Sequence, residues 1–219
     1  MLVIIGLLLG GVLKGQELIT SARVRNLISN QDGIKAAYFG FLDRFRALPG
    51  DYTAAVTNIN GITGTACGVS GNGNGNGRIE TTLSEHVLAW EHLSKAGFIN
   101  GTYTCATTES NTTTPVNPYA VRQQIVFDGV YGIISAGAVR HNLKTGGQIP
   151  VDIIAEVDRK IDDGAPNTGG FQFSAYVGNA AAAPTEGSTT TPACTSANTA
   201  AATWNATNGS TNCGAASLF

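Results

Sequence analysis

The chain contains little charge, and neither sign is in marked excess. Only 13% of its 219 residues are charged, about half the share of an average soluble domain. The 13 Lys+Arg and 15 Asp+Glu leave a net charge of −2. A general nucleic-acid-binding surface needs a basic excess, and a disordered chain combines high net charge with few apolar residues. Because 42% of the residues are hydrophobic, the composition favours a folded protein and indicates no nucleic-acid partner.

The sequence also lacks the short motifs that carry much of known catalytic and metal chemistry. It contains no His-Glu-x-x-His, Gly-x-Ser-x-Gly or P-loop pattern. It contains no Cys-x-x-Cys pair and no His at zinc-ligand spacing from a cysteine. The adjacent Asp162 and Asp163 precede Gly164 and are more typical of a solvated helix end than of a catalytic pair. We therefore predict that the protein is not an enzyme and needs no cofactor, apart from one candidate calcium loop.

The four cysteines indicate an oxidising compartment. They are Cys67, Cys105, Cys194 and Cys213, and they stand in loop-like, Thr-rich surroundings. An even number of cysteines in such a setting favours two disulfides. Four cysteines allow three connectivities, and of these we favour the local pairs Cys67–Cys105 and Cys194–Cys213. The alternative is a set of four buried free thiols in a cytosolic protein.

The first residues form an uncharged apolar run. Residues 1–13 contain no charged side chain before Lys14, and as a helix they would extend about 20 Å, short of the ~30 Å hydrocarbon core of a membrane. A signal peptide is the alternative, but no basic segment precedes the run and no small-residue cleavage site follows it. We therefore expect this run to belong to a longer membrane helix. Gly6 and Gly10 have the Gly-x-x-x-Gly spacing that permits close helix contact.

The helical pattern continues far beyond the apolar run. No Pro occurs before Pro49, and Gly50 and Asp51 then favour a turn. We predict one helix of roughly 45 residues that ends near Arg46. Its last third carries an apolar stripe with helical spacing, so we expect residues 1–50 to form a protruding helix whose end packs on a head of residues 51–219. The stripe comprises Ile34, Ala37, Tyr38, Phe41, Leu42, Phe45 and Leu48.

The head is predicted to mix short helices with an antiparallel sheet, an α+β fold with a loop-rich C-terminal region. A Thr82-x-x-Glu85 capping box predicts a helix over 83–96, and Asp128-Gly129 predicts the turn of a hairpin over 123–135. The segments 107–118 and 184–212 are rich in Thr, Ser, Asn and Pro, and we expect them to be surface loops. A second amphipathic helix is predicted over 150–161 and a strand over 171–177.

An alternating Gly/Asn run is the one candidate metal site. Its oxygens have the 1, 3, 5 spacing of a calcium loop, with Gly at the sixth place, although the twelfth place is Leu83 instead of Glu. Neutral amides bind hard cations weakly, so any affinity falls in the extracellular range of about 10⁻⁴–10⁻³ M. The alternative is a flexible Gly/Asn turn. The candidate ligands are Asn72, Asn74, Asn76, Arg78 and Glu80.

Several of these motifs occur together in one known family. The run VIIGLLLGGVLKGQELITSARVRNLI and the Ala-Leu-Pro-Gly-Asp stop at 47–51 resemble the N-terminal helix of type IV pilins and pseudopilins. The larger members also have a Gly/Asn/Asp-rich loop, a short Trp-containing helix and an Ile-Asp-Asp-Gly turn. The corresponding stretches here are GNGNGNGRIE, LAWEHLSKAGFINGTY and KIDDGAPNTG.

The resemblance implies a pilin-like fold and a structural role. It predicts a subunit of an extracellular helical filament on the cell surface, with identical subunits as partners, an inner-membrane-anchored precursor pool and an inner-membrane pilus assembly machinery. A type II secretion pseudopilin is one alternative, and a membrane-anchored surface or periplasmic binding module that does not polymerise is another. The predicted assembly residues are Leu2, Val3, Ile4, Ile5, Gly6, Leu7, Leu8, Leu9, Gly10, Gly11 and Val12.

Overall fold

The protein combines one very long helix with a small sheet and three shorter helices within the residues that the structure describes. The computed structural model describes residues 2–63, 66–133, 137–187, 192–207 and 209–219, and for residues 2–9 it describes the backbone alone. The α+β prediction is confirmed. In chain order the elements are α1 (Leu2–Phe45), α2 (Ala55–Asn58), α3 (Glu85–Lys95), β1 (Gln124–Asp128), β2 (Arg140–Lys144), α4 (Val151–Ile161), β3 (Phe171–Phe173) and β4 (Ala215–Leu218).

Helix α1 is continuous over its 44 residues, which corresponds to about 66 Å. It ends at Phe45 because Arg46 adopts a left-handed conformation with φ of 52°, and Pro49 follows. The predicted end near Arg46 is therefore confirmed. In the described part of the chain, no helix has an apolar stretch of the length needed to cross a membrane.

The two halves of α1 lie in different environments. No residue between Gly10 and Arg23 is buried, and we call residues 10–23 the exposed arm. Beyond it, one face of the helix is buried at intervals of three or four residues, as predicted from the apolar stripe. The buried residues of this face are Val24, Leu27, Gln31, Ile34, Ala37, Tyr38 and Phe41.

The four strands form one antiparallel sheet in the order β1-β2-β4-β3. Strand β4 comes from the C-terminus of the chain and pairs with β2 on one side and β3 on the other. Ile125 of β1 lies opposite Leu143 of β2, and Phe173 of β3 lies opposite Ala215 of β4. The sequence analysis did not predict β4, although it occupies an inner position of the sheet.

Helix α1 contributes to two hydrophobic clusters of the head. In the first, Val24 and Leu27 join the apolar face of α4 and residues of β3 and β4, together with Trp204. In the second, Tyr38 and Phe41 join α3, β1 and β2, with Trp90 at its centre. Because one continuous helix supplies residues to both clusters, it links the two parts of the head.

Both favoured disulfides are confirmed, since Cys67 is bonded to Cys105 and Cys194 to Cys213. The second bond is buried within the first hydrophobic cluster. The prediction that 184–212 is only a surface loop is therefore wrong, because Trp204 and the disulfide supply enough apolar surface to join the core. The segment 107–118 likewise contains buried residues, among them Thr114 and Asn117.

The predicted hairpin over 123–135 is also wrong. Strand β1 pairs with β2 at 140–144, and residues 134–135 lie outside the described residues. Asp128 ends β1, where its Oδ1 accepts the Val130 N–H at 3.2 Å in an Asx turn and its Oδ2 pairs with Lys144 Nζ of β2 at 2.5 Å. The helix predicted over 150–161 is confirmed as α4, while the strand predicted over 171–177 ends at Phe173.

We predict that Phe41→Ala destabilises the protein by about 3–5 kcal/mol, since it leaves a cavity between α1 and the second cluster. Phe39 lies on the other face of the same helix turn and is 50% exposed. We expect Phe39→Ala to change the free energy of unfolding by less than about 1 kcal/mol. Urea unfolding followed by tryptophan fluorescence measures both. Equal losses for the two variants would show that α1 does not pack on the head as described.

Candidate functional site

The Gly/Asn run, residues 71–80, forms a loop that wraps around a carboxylate. Asp51 follows the Pro-Gly stop of α1 and is buried. Its Oδ1 accepts the backbone N–H groups of Gly75 at 2.6 Å and Asn76 at 3.1 Å, and its Oδ2 accepts that of Gly77 at 2.8 Å. Successive N–H groups that point inward form a concave anion-binding nest, and here a side chain of the same protein occupies the nest.

A second carboxylate joins the middle of the loop to its last residue. Glu85 is buried, and its two oxygens accept the N–H groups of Asn74 and Glu80, each at 3.1 Å. Burial raises the pKa of Glu85, and the two backbone hydrogen bonds oppose that shift. The predicted capping box is therefore wrong. The residue before α3, Ser84, makes no side-chain cap and has a left-handed φ of 56°, and Glu85 faces the loop instead.

Glycine is required at one close approach in the loop. A Cβ on Gly73 would lie 2.1 Å from the backbone carbonyl carbon of Asp51, well inside van der Waals contact. The Gly73 N–H donates to the Tyr52 carbonyl at 3.0 Å. The alternation of Gly and Asn thus allows the backbone to pack directly on the chain that follows α1.

His92 of α3 links the helix stop to the start of the loop. Its Nδ1 accepts the Gly50 N–H at 3.0 Å, so Nε2 carries the proton and donates to the Gly71 carbonyl at 3.1 Å. The ring stacks on Phe41 with centroids 6.1 Å apart. Burial lowers the pKa of His92 to about 4. The imidazole is therefore neutral at physiological pH and acts as a structural bridge.

The oxygens of the predicted calcium ligands already accept hydrogen bonds within the protein. Asn72 Oδ1 accepts the Val56 N–H at 3.0 Å. Asn74 Oδ1 accepts the Asn76 N–H at 2.9 Å, and Asn76 Oδ1 accepts the Arg78 N–H at 2.8 Å. These bonds shape the loop together with Asp51, and calcium binding by Asn72, Asn74, Asn76, Arg78 and Glu80 stays a prediction.

The charged members of that set also interact with the loop. Glu80 Oε2 accepts the Asn76 side-chain amide at 3.0 Å, and Arg78 Nη1 lies 3.9 Å from Glu80 Oε1. The Arg78 guanidinium also lies over the Phe127 ring, 5.3 Å from its centroid. The arrangement is that of a rigid structural loop. The sequence analysis missed the part played by Asp51, because residues 52–70 separate it from the loop and no local pattern marks it.

The predicted assembly residues lie in the N-terminal part of α1. The side chains of Leu2, Val3, Ile4, Ile5, Leu7, Leu8 and Leu9, with Gly6, lie outside the described residues. Gly10, Gly11 and Val12 are exposed at the beginning of the arm. The two predicted sites are thus separate, because the loop packs against the opposite end of the same helix.

We predict that Asp51→Ala releases the loop, because three backbone N–H groups lose their acceptor. Hydrogen bonds to a charged group are worth about 1.5–3 kcal/mol, so we expect the free energy of unfolding to fall by about 2 kcal/mol. The amides of Gly75, Asn76 and Gly77 should then exchange with solvent faster. The control is Asp43→Ala, which breaks an exposed pair with Arg46 and should have little effect. Unchanged amide protection in Asp51→Ala would contradict this account of the loop.

We predict that neutral His92 makes the protein less stable in acid. In the unfolded chain His92 binds a proton near pH 6.5, but in the folded protein only near pH 4. The unfolded state therefore binds more protons between these values, and stability is lost as the pH falls through this window. The loss attributable to His92 reaches about 3 kcal/mol at pH 4. Unfolding free energies of the wild type and His92→Gln, measured from pH 7.5 to 4, should converge in acid. Parallel curves for the two proteins would contradict the prediction.

No family model, curated protein or solved structure matches the chain. The likeness to type IV pilins therefore depends on the motif residues of the N-terminal helix and of the loop and turn segments. What the chain does is inferred from that resemblance together with the geometry of α1.

Proposed function

We propose that the protein is a structural subunit of an extracellular helical filament and that it polymerises through α1. The observation that carries the proposal is the exposed arm, which continues the helix of the apolar run and passes without interruption into the part of α1 that is anchored in the head. The pilin resemblance of the same residues supports the same function. Identical subunits are the partners in this proposal.

The apolar side chains of the arm cover more than one side of the helix. Val12, Leu13, Leu18 and Ile19 are 55–66% exposed. Val12 and Ile19 share a face, and Leu13 and Leu18 lie about 100° to opposite sides of it. A helix that docks on one partner needs only a single apolar stripe, whereas exposed apolar side chains on more than one side of a helix are buried only when neighbours approach from more than one direction. A central bundle of equivalent helices provides such neighbours.

The glycines of the arm have no role within the subunit. A Cβ on Gly10, Gly11 or Gly15 would meet nothing within 4 Å, although each Gly in a helix costs about 1 kcal/mol relative to Ala. Gly11 and Gly15 are four residues apart and share a face. Small residues at this spacing let two helix backbones approach closely in apolar surroundings. Contact with the arm of another subunit would account for them.

The rest of α1 suits this role because it fixes the direction of the arm. From Val24 to Phe41 the buried face is packed into the head, so each subunit presents its arm in the same orientation. When one surface binds a different surface of the next copy and the rotation does not close, a helical filament results. The two disulfides favour an oxidising location outside the cytoplasm. The proposal includes an inner-membrane precursor and assembly machinery.

We predict that Leu13→Asp prevents filament formation, because a carboxylate on the 66% exposed Leu13 would have to be desolvated in the helix bundle. The head should still fold, since Leu13 makes no part of either hydrophobic cluster. The matched control is Val139→Asp, a change at a 61% exposed head residue. Filaments sheared from cells that produce each variant are counted by electron microscopy.

The outcomes separate this proposal from the alternative of an anchored binding module that does not polymerise. Filaments in the wild type and Val139→Asp, and none in Leu13→Asp, support polymerisation through the arm. Normal filaments from Leu13→Asp would overturn it. A wild-type protein that stays in membranes as single copies would favour the anchored binding module.

A further inference from the structure

Three carboxylates converge at the C-terminal end of α4. Asp158 lies in the last turn of the helix, and Asp162 and Asp163 follow directly after it. One oxygen of each lies within 4.8 Å of an oxygen of both others. Ca²⁺ binds oxygen ligands at about 2.3–2.6 Å, so two ligands of one ion are separated by up to about 5 Å. The spacing therefore fits one cation shared by the three side chains.

Asp158 is the buried member of the cluster, and one of its oxygens has no partner. The residue is 0% exposed. Its Oδ2 accepts the Trp204 Nε1–H at 2.6 Å, whereas its Oδ1 accepts no hydrogen bond from the described residues. The Gly164 backbone N–H lowers the pKa of this carboxylate. A buried oxygen without a partner is costly and calls for a ligand or an ion.

The local charges leave the cluster negative. The C-terminal end of a helix carries a partial negative charge, which disfavours carboxylates there. The basic residues of the last turn do not compensate, because Arg159 and Lys160 both pair with Glu156 at 3.1 Å. Lys35 of α1 acts on Asp162 electrostatically, but the two make no ion pair in the described structure. Burial and the two neighbouring carboxylates raise the pKa of Asp158 to about 6, against the Trp204 hydrogen bond.

The two outer carboxylates are held in position by the loop that follows α4. Asp162 Oδ2 accepts the Phe171 N–H at 2.7 Å, and Asp163 Oδ1 accepts the Ala165 N–H at 2.9 Å. A Cβ on Gly169 would lie 2.0 Å from Asp162 Oδ2, so the loop closes tightly over that side chain. The ligand geometry is thus set by the fold before an ion binds.

We propose that Asp158, Asp162 and Asp163 bind a hard divalent cation of the calcium type. Asp158 contributes Oδ1 from the protein interior, Asp162 and Asp163 contribute from the surface, and water completes the coordination. The site is separate from the loop of residues 71–80 and does not depend on filament formation. Three charged ligands on a partly open site correspond to an affinity of about 10⁻⁴–10⁻³ M or tighter.

The hydrogen bond between Trp204 and Asp158 supplies a direct probe. Tb³⁺ replaces Ca²⁺ at oxygen sites and emits when a nearby indole is excited. The full chain in a mild non-ionic detergent is titrated with Tb³⁺ under tryptophan excitation, and Ca²⁺ is then added as competitor. We expect saturable emission that Ca²⁺ displaces. Trp204→Phe should lose this emission yet keep the rise in melting temperature that Ca²⁺ produces, because the ligands remain.

Asp163→Asn tests the ligands themselves. Asp163 is exposed, so the variant should fold as the wild type does without metal, and we expect about tenfold or greater loss of Tb³⁺ affinity. Asp162→Asn keeps the oxygen that accepts the Phe171 N–H and should show the same loss. Asp43→Asn is the matched control, since Asp43 is an exposed carboxylate paired with Arg46 outside both candidate sites, and it should bind normally. The proposal is overturned by wild type without sensitised emission, by full affinity in both Asp162→Asn and Asp163→Asn, or by an equal loss in Asp43→Asn.

Discussion

The burial of one face of α1 on the head is the interaction on which the other features of this protein depend. Val24, Leu27 and Phe41 are completely buried, and each such side chain contributes about 1.5–3 kcal/mol by leaving water. The helix has no break between its packed and exposed halves. The free energy that stabilises the head therefore also fixes the direction in which the exposed arm leaves it. A flexible connection would lose this property, and with it a uniform geometry between subunits.

The end of α1 shows how a local signal acquires a structural role. Pro49 and Gly50 end the helix, and the next residue, Asp51, becomes the acceptor around which the Gly/Asn loop folds. His92 joins the two segments through Gly50 and Gly71. The helix stop, the loop and α3 thus form one hydrogen-bonded unit. In the proposed filament this unit lies at the far end of α1 from the arm, and it keeps that end of the helix fixed in the head.

Helix α4 takes part in both proposals, because it packs on α1 near the exposed arm and has the carboxylate cluster at its C-terminal end. It packs against the first buried turns of α1, at Val24 and Leu27, where the arm leaves the head. The carboxylate cluster lies at the C-terminal end of α4, close enough to Lys35 of α1 for an electrostatic interaction. A cation there would neutralise charge at a helix end and, through Trp204, would tie the C-terminal segment to the support of the arm. The stability of the head in extracellular calcium and the orientation of α1 would then be linked.

The sequence by itself determined the features that depend on neighbouring residues. The length of α1, its apolar stripe, its end before Pro49 and the helix α4 follow from spacing along the chain, and the local disulfide pairs follow the same proximity. Tertiary structure alone decided the inner position of β4, the pairing of β1 with 140–144, the burial of Trp204 and the use of Glu85 by the loop. It also brought the carboxylates of Asp162 and Asp163, which follow the end of α4, close to that of the buried Asp158. Strand pairing joins residues that are distant in sequence. The burial of a polar group or of a carboxylate depends on which other segments pack over it. The periodicity of residues along the chain reports neither long-range pairing nor such packing.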